Sequence, residues 1–319
     1  KSINKIKSMG IFKKVNSNVL DGSDPSSKII NISVEEKPTG EISLGAGVGT
    51  SGTVIGGGIT EKNFLGKGIS LKTDLEISED GVKGKFVYSK PNFAYTDNTL
   101  FTSLEATSND FLTDYGYKVS KQGFSFGTQF EQYENLFFKP ELSMSLEDLD
   151  TDSTASSQLK KQEGSYTDFY FNYGIIYDLR NSRYQPTSGN STSFQQELPM
   201  ISDNKEITNT LVFTQYKTLN QSSDMIGKVS LYLKAVNSLD GSDVRISKRA
   251  NVPYNRLRGF ERGKIGPVEN TDYIGGNYVG ALNLSTSLPG ILTTIENIDF
   301  SYFIDFANVW GVDYNSSLD

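Results

Sequence analysis

Strict alternation of apolar and polar residues runs through most of this 319-residue chain and leaves little choice of secondary structure. From Glu41 onward the period is two. Ile42, Leu44, Ala46 and Val48 alternate with Ser43, Gly45, Gly47 and Gly49. Phe124, Phe126, Thr128 and Phe130 alternate with Ser125, Gly127, Gln129 and Glu131. Phe169, Phe171, Tyr173, Ile175 and Tyr177 alternate with Tyr170, Asn172, Gly174 and Ile176. Val229, Leu231, Leu233 and Ala235 alternate with Ser230, Tyr232 and Lys234. Phe300, Tyr302, Ile304 and Phe306 alternate with Asp299, Ser301, Phe303 and Asp305. A helix would scatter such residues around its axis, whereas a strand collects them on one face. The segments read as half-buried strands, roughly thirteen in number.

Two all-β architectures give this pattern. A soluble sandwich turns its apolar face onto a core. A transmembrane antiparallel β-barrel turns it to lipid and keeps a polar lumen. The length and number of the strands favour the barrel. So do the Phe and Tyr of one face and the Gly, Asn, Ser, Lys and Asp of the other. No stretch approaches the length of a transmembrane helix, but a spanning strand needs only about ten residues. The chain has no cysteine and no histidine. That excludes disulfides, thiol nucleophiles, thiolate zinc sites and every His-based catalytic or metal site. A net charge of −7 argues against nucleic-acid binding, which needs a basic face. No residue is read as catalytic, cofactor-binding or metal-ligating, and no cofactor is expected.

Residues 1–39 differ. Ile3, Ile6 and Met9 stand at helical spacing before Gly10, a helix stop. IFKKVNSNV and KIINISVEE read as strands joined by DGSDPSS, a turn with Asp21-Gly22 and Pro25. This is the end of a small α/β module, followed by the barrel over 40–319. An odd strand count and the polar end NSSLD predict that further barrel strands lie beyond this chain.

Four segments interrupt the alternation. GVGTSG (47–52) has the spacing of a dinucleotide loop, but a strand follows it instead of a helix, so it reads as a hairpin. EDLDTDSTASS (147–157) lacks the glycine of a calcium loop and reads as a solvated loop. YDLRNSRYQPTSGN (177–190) places Asp178, Arg180 and Arg183 around a turn between strands. LRGFERGKIGP (257–267) combines charge and glycine with Leu257, Phe260 and Ile265. Disordered loops rarely carry such apolar residues, so a packed loop inside the barrel is the better reading.

LRGFERGKIGP, followed by YIGGNYVGALNLSTSLP, resembles the lumen loop and next strand of BamA-type outer-membrane assembly barrels, of the POTRA–β-barrel superfamily. Arg258, Gly259 and Phe260 match the family's Arg-Gly-Phe/Tyr signature. Ile265-Gly266-Pro267 and Gly275-Gly276-Asn277 match the segments after it, and FIDFANVWG (303–311) resembles a later strand. MGIFKKV, VEEKPTGEISLGAGV, NFLGKG, SKPNF and the run Asp178, Arg180, Pro186, Thr187 and Gly189 also fit. The resemblance covers essentially the whole chain. It departs from the family at Ser285, where an acidic residue is common.

The resemblance implies a sixteen-stranded barrel in the outer membrane of a Gram-negative bacterium, preceded by periplasmic POTRA modules. About thirteen of those strands and the end of the last module would lie in this chain. It implies an insertase, not an enzyme. Its partners would be unfolded outer-membrane protein clients, outer-membrane lipid and accessory assembly lipoproteins. A two-partner secretion pore or a translocation-and-assembly-module barrel of the same superfamily is the alternative, and a soluble β-sandwich binding domain is another. Three expectations follow for the structure. Phe169, Phe171, Tyr173, Ile175 and Tyr177 face outward and Asn172 inward. The strand with Ile42, Leu44, Gly45, Gly47 and Gly49 is a weak seam. Within a long lumen-entering loop over 240–275, Arg258 is anchored on Asp305, which alternation turns inward and which matches the family's acidic position. Ser285 accepts a hydrogen bond from the same guanidinium.

Overall fold

The computed structural model describes residues 6, 10–24, 26–49, 52–183, 185–220, 225–261, 263–288 and 300–318. Near the N-terminus β1 (Phe12–Asp21) and β2 (Lys28–Glu36) form an antiparallel hairpin. Ile6 is helical and Gly10 takes a left-handed φ of 70°, and the residues between them lie outside the described ones. Ile3, Met9 and Pro25 lie outside the described residues.

Thirteen strands then build one antiparallel sheet. They are β3 (Gly40–Gly49), β4 (Gly52–Phe64), β5 (Ile69–Ser78), β6 (Gly81–Lys90), β7 (Thr99–Phe111), β8 (Tyr117–Tyr133), β9 (Leu136–Thr151), β10 (Gly164–Asp178), β11 (Gly189–Ser202), β12 (Glu206–Thr218), β13 (Ile226–Ser238), β16 (Tyr278–Leu288) and β17 (Phe300–Trp310). The two-residue strands β14 (Val268–Glu269) and β15 (Asp272–Tyr273) pair within the long connection between β13 and β16. Within the thirteen-stranded sheet each strand pairs with the next of its members along the chain, β13 with β16 included, and β3 and β17 stand at its two ends. GVGTSG is a hairpin connection, with Gly49 opposite Gly52. YDLRNSRYQPTSGN turns between β10 and β11, and Arg180 grips Asp178 with two 2.8 Å hydrogen bonds.

Register carries each side chain to a definite face. Phe126, Leu142, Phe171 and Leu198 are paired across four strands and form one outward row. Gly127, Glu141, Asn172, Glu197 and Thr208 form an inward row beside it. Asn172 donates inward to Ser143 Oγ at 2.9 Å. The outer wall leaves Phe126, Leu142, Phe169, Ile175 and Tyr177 exposed. Phe171 and Tyr173 point the same way but are half-buried, because their rings lie 6.2 Å apart and Tyr173 also meets Phe138 and Phe194. Among the described residues no second sheet covers this apolar face, which removes the soluble-sandwich reading. The wall is that of a β-barrel, with lipid as the solvent that its outer side chains require.

The buried apolar clusters lie instead at one end. Because adjacent strands are antiparallel, the connections after β7, β9, β11 and β13 and the segment after β17 all fall at the end opposite the N-terminal hairpin. Tyr117, Val119, Leu149, Leu159, Ile246 and Val312 form a dome core there. Val236, Val244, Ala250, Val279 and Val309 form a second cluster, between the β13–β16 connection and the wall.

In the full-length protein in lipid vesicles, Phe171→Arg should lower unfolding stability by about 2–4 kcal/mol, the cost of a cation on the lipid face near mid-bilayer. Asn172→Lys, one residue away but in the lumen, should change it by less than about 1 kcal/mol. Urea unfolding followed by tyrosine and tryptophan fluorescence measures both, and equal effects would contradict the assigned faces.

Candidate functional site

The connection between β13 and β16 folds back along the inner wall, and its signature arginine holds it there. Arg258 Nε donates to Asp305 Oδ2 at 2.7 Å and Nη2 to Oδ1 at 2.7 Å. The backbone N–H of Arg258 adds a third bond to Oδ2 at 3.1 Å. The guanidinium also lies 3.6 Å over the Phe303 ring. Alternation along β17 explains the arrangement. Phe300, Tyr302, Ile304 and Phe306 turn outward, so Phe303 and Asp305 share the inner face two residues apart, and the planar fork meets both. The hydrogen bond to Asp305 raises the Arg258 pKa further, so the charge is permanent. Asp299, expected on the same face, lies outside the described residues, as does Arg262 of the loop.

Ser285 is not the partner expected of it. Asn283 takes that place: its Nδ2 donates to Asp305 Oδ1 at 2.9 Å and to the Arg256 carbonyl at 2.7 Å. The reason is register. Asn283 stands directly opposite Asp305, whereas Ser285 stands opposite Phe303. Arg256 extends the network, donating to Ser230 Oγ at 2.6 Å and to Asn283 Oδ1 at 3.2 Å.

The rest of the signature shapes the turn. Gly259 has φ 85°, a left-handed conformation that lets the chain reverse directly after Arg258. Gly266 has φ 108°, and a Cβ there would sit 2.6 Å from Val309 Cβ, so only glycine fits so close to β17. Pro267 is buried, and its carbonyl accepts from the Ile274 N–H at 3.1 Å. Leu257 and Ile265 pack against the second apolar cluster. Phe260 does not follow them, being 56% exposed, because the turn at Gly259 carries it away from the wall.

A second arginine, outside every motif, is more deeply held. Arg245 is fully buried, between Val244 and Ile246, which are also buried. Its Nη2 donates to Asp168 Oδ2 at 2.6 Å, and it also faces Glu147 at 3.5 Å and Glu206 at 3.8 Å. The Tyr166 ring lies 4.1 Å from its guanidinium carbon. Burial alone would lower its pKa, but the carboxylates of Glu147, Asp168 and Glu206 raise it on balance. EDLDTDSTASS is therefore not a solvated loop throughout. Glu147 belongs to β9 and faces inward, and Ser156 is buried and donates to Glu269 Oε2 at 2.6 Å. The alternation of Leu142, Met144 and Leu146 carried the signal for Glu147, but the acidic residues after it masked that signal. Arg249 pairs with Asp313 and donates to Asn277 Oδ1 at 3.2 Å, tying the loop to the Gly-Gly-Asn segment.

The seam strand lies far from this network in the sheet order. Among the described residues β3 pairs with β4. Its outward Ile42, Leu44 and Val48 are 75%, 87% and 85% exposed. Gly45, Gly47 and Gly49 lie on its inner face by alternation.

Arg258→Ala should release residues 257–260 from the wall at a cost of about 2–3 kcal/mol, since Asp305 is 3% exposed and would lose its counter-charge, while the arginine itself is 36% exposed. Arg258→Lys should rescue little, because an ammonium cannot make the bidentate contact. Amide hydrogen exchange over 257–260 reads both, and the exchanged pair Arg258→Asp with Asp305→Arg should restore part of the protection.

A model of the Omp85 superfamily domain matches residues 63–318. The outer membrane protein assembly factor BamA of Neorickettsia risticii (strain Illinois) is 22% identical over 97% of this chain and 42% of the relative. The crystal structure of BamA from Haemophilus ducreyi lacking POTRA domains 1–3 matches with a TM-score of 0.79 at 25% identity, over 97% of this chain and 65% of that one. CdiB from Acinetobacter baumannii shares the fold, with a TM-score of 0.61 at 12% identity over 95% of this chain and 56% of that one. The chain thus spans less than two thirds of each relative. The matched domain takes in the lumen loop, its arginine anchors and twelve of the thirteen wall strands at least in part, and the chain belongs to the Omp85 superfamily, within which it is similar to BamA.

Proposed function

We propose that this chain is the barrel part of an outer-membrane insertase, which folds and inserts client β-barrel proteins by pairing their strands at a weak seam, without ATP. The observation that carries this reading is the glycine content of the first two wall strands, with Gly45 and Gly47 alternating with apolar residues on β3 and Gly56, Gly57 and Gly58 in succession on β4. An edge in hydrocarbon leaves backbone N–H and C=O groups without partners. A client strand supplies those partners by β-augmentation. Glycines give few side chains to lock a register, which suits pairing that must later be released. The driving free energy is the client's own, from apolar surface passing into lipid and from closure of its backbone hydrogen bonds.

The likeness to BamA supports the same reading. On it, unfolded outer-membrane proteins are the clients, outer-membrane lipid surrounds the wall, and accessory assembly lipoproteins are partners. The N-terminal hairpin then lies in the periplasm and the dome at the cell surface.

Photo-crosslinking of the full-length protein, reconstituted in outer-membrane lipid, tests the reading. A benzophenone side chain replacing Leu44 on β3 should capture an inserting client barrel, and the same group replacing Ile175 on β10 should not. Equal capture at both positions, or none at Leu44, would reject strand pairing at this seam.

A further inference from the structure

We infer that Arg245 is a second positioning residue of the lumen loop, an anchor separate from Arg258 and fixed to a different part of the wall. Among the described residues Arg258 reaches β17, with Asn283 of β16 bracing its carboxylate partner Asp305. Arg245 reaches Glu147 of β9, Asp168 of β10 and Glu206 of β12. In the sheet order these strands stand well away from β17. The residues around Arg245 reinforce the same contact. Its backbone N–H donates to Glu206 Oε1 at 3.0 Å, Ser247 donates to Glu147, and Lys248 lies 3.6 Å from Asp168. Ile246, next in sequence, donates from its backbone to Gln162 Oε1 at 2.7 Å and packs its side chain in the dome core.

The energetics suit positioning better than stabilisation. All three carboxylates and the guanidinium are essentially without solvent. Arg245 Nε and Nη1 and Glu206 Oε2 have no hydrogen-bond partner. A buried network left partly unsatisfied adds little net stability, and apolar residues of similar size would hold a fold as well or better. What it does supply is a unique place for the loop, because the arginine cannot leave its three carboxylates without stranding buried charge. Two anchors on separate strands then fix both the entry of the loop and its turn at Gly259. Either end can loosen while the other stays.

Hydrogen exchange on the full-length protein in lipid vesicles tests this, with client insertion measured on the same samples. Arg245→Ala alone could fail to fold. The decisive variant therefore combines Arg245→Met and Lys248→Met with Glu147→Gln, Asp168→Asn and Glu206→Gln, which removes the whole ion cluster, the Lys248–Asp168 pair included. Amides of 244–250 should then exchange about tenfold faster or more, while the β10 amides and the unfolding midpoint of the barrel stay as in the parent. Arg245→Lys, which keeps the charge and loses the fork, should fall between. Arg258→Ala should speed exchange at 257–260 and leave 244–250 protected. Unchanged protection of 244–250 in the neutralised variant, or its loss in Arg258→Ala alone, would overturn the second anchor. The expected slowing of client insertion rests on the insertase reading, and the anchoring does not. Faster loop exchange with undiminished insertion would keep the anchor and refute its part in insertion. A parent protein that inserts no client would refute the insertase reading and leave the exchange result to decide the anchor.

Discussion

The structure depends on one constraint: a backbone N–H or C=O that faces hydrocarbon must find its partner within the protein. Thirteen antiparallel strands meet it by pairing each with the next. The same constraint fixes the side chains, since a paired strand in lipid has one apolar side and one wet side. Phe126, Leu142, Phe171 and Leu198 therefore share a row, and Glu141, Asn172 and Glu197 share the next.

The wet side has its own problem, which the two arginines meet differently. A loop lying in a polar lumen gains little from the hydrophobic effect, so its place must be set by directed contacts. Arg258 is partly exposed and uses geometry: two parallel hydrogen bonds to one carboxylate and a ring face beneath it. Such a clamp is specific and loses only moderate energy when it opens into water. Arg245 has no water to open into. Its charge faces three carboxylates from three strands, so its release would strand all of them at once.

Much of this was legible in the sequence, and the limits have physical causes. Period-two patterning placed Asp305 on the inner face, and the planar fork of arginine made a bidentate pair the natural match. The same patterning could not choose between Asn283 and Ser285, which share a face. The choice rests on register across β16 and β17, which a single strand does not encode. Glu147 was readable in principle, from its place after Leu142, Met144 and Leu146, but a run of acidic and hydroxyl residues imitates a solvated loop. Arg245 left no signal at all. Irregular backbone has no period, and its three partners come from segments dozens of residues away. Phe260 shows the converse error: an apolar residue in a packed loop still faces water where a left-handed glycine turns the chain.

These contacts also grade the stiffness of the wall. The arginines of the loop bind β9, β10, β12, β13, β16 and β17, bracing those strands from inside. At the other edge the sequence does the opposite. β3 alternates glycine with apolar residues, and β4 carries Gly56, Gly57 and Gly58 in succession. Glycine within a strand removes cross-strand side-chain contacts and weakens its hold on register. The Leu44 side chain leans over Gly57, and those of Ser43 and Asp74 reach over Gly58, so even the packing there relies on the missing Cβ atoms. A barrel built this way yields first where its own strands are least committed, at β3 and β4, while the loop keeps the remainder in shape. On the proposed insertase reading, strand exchange with a client draws on that asymmetry, because a seam can open repeatedly only if the rest of the wall does not follow it.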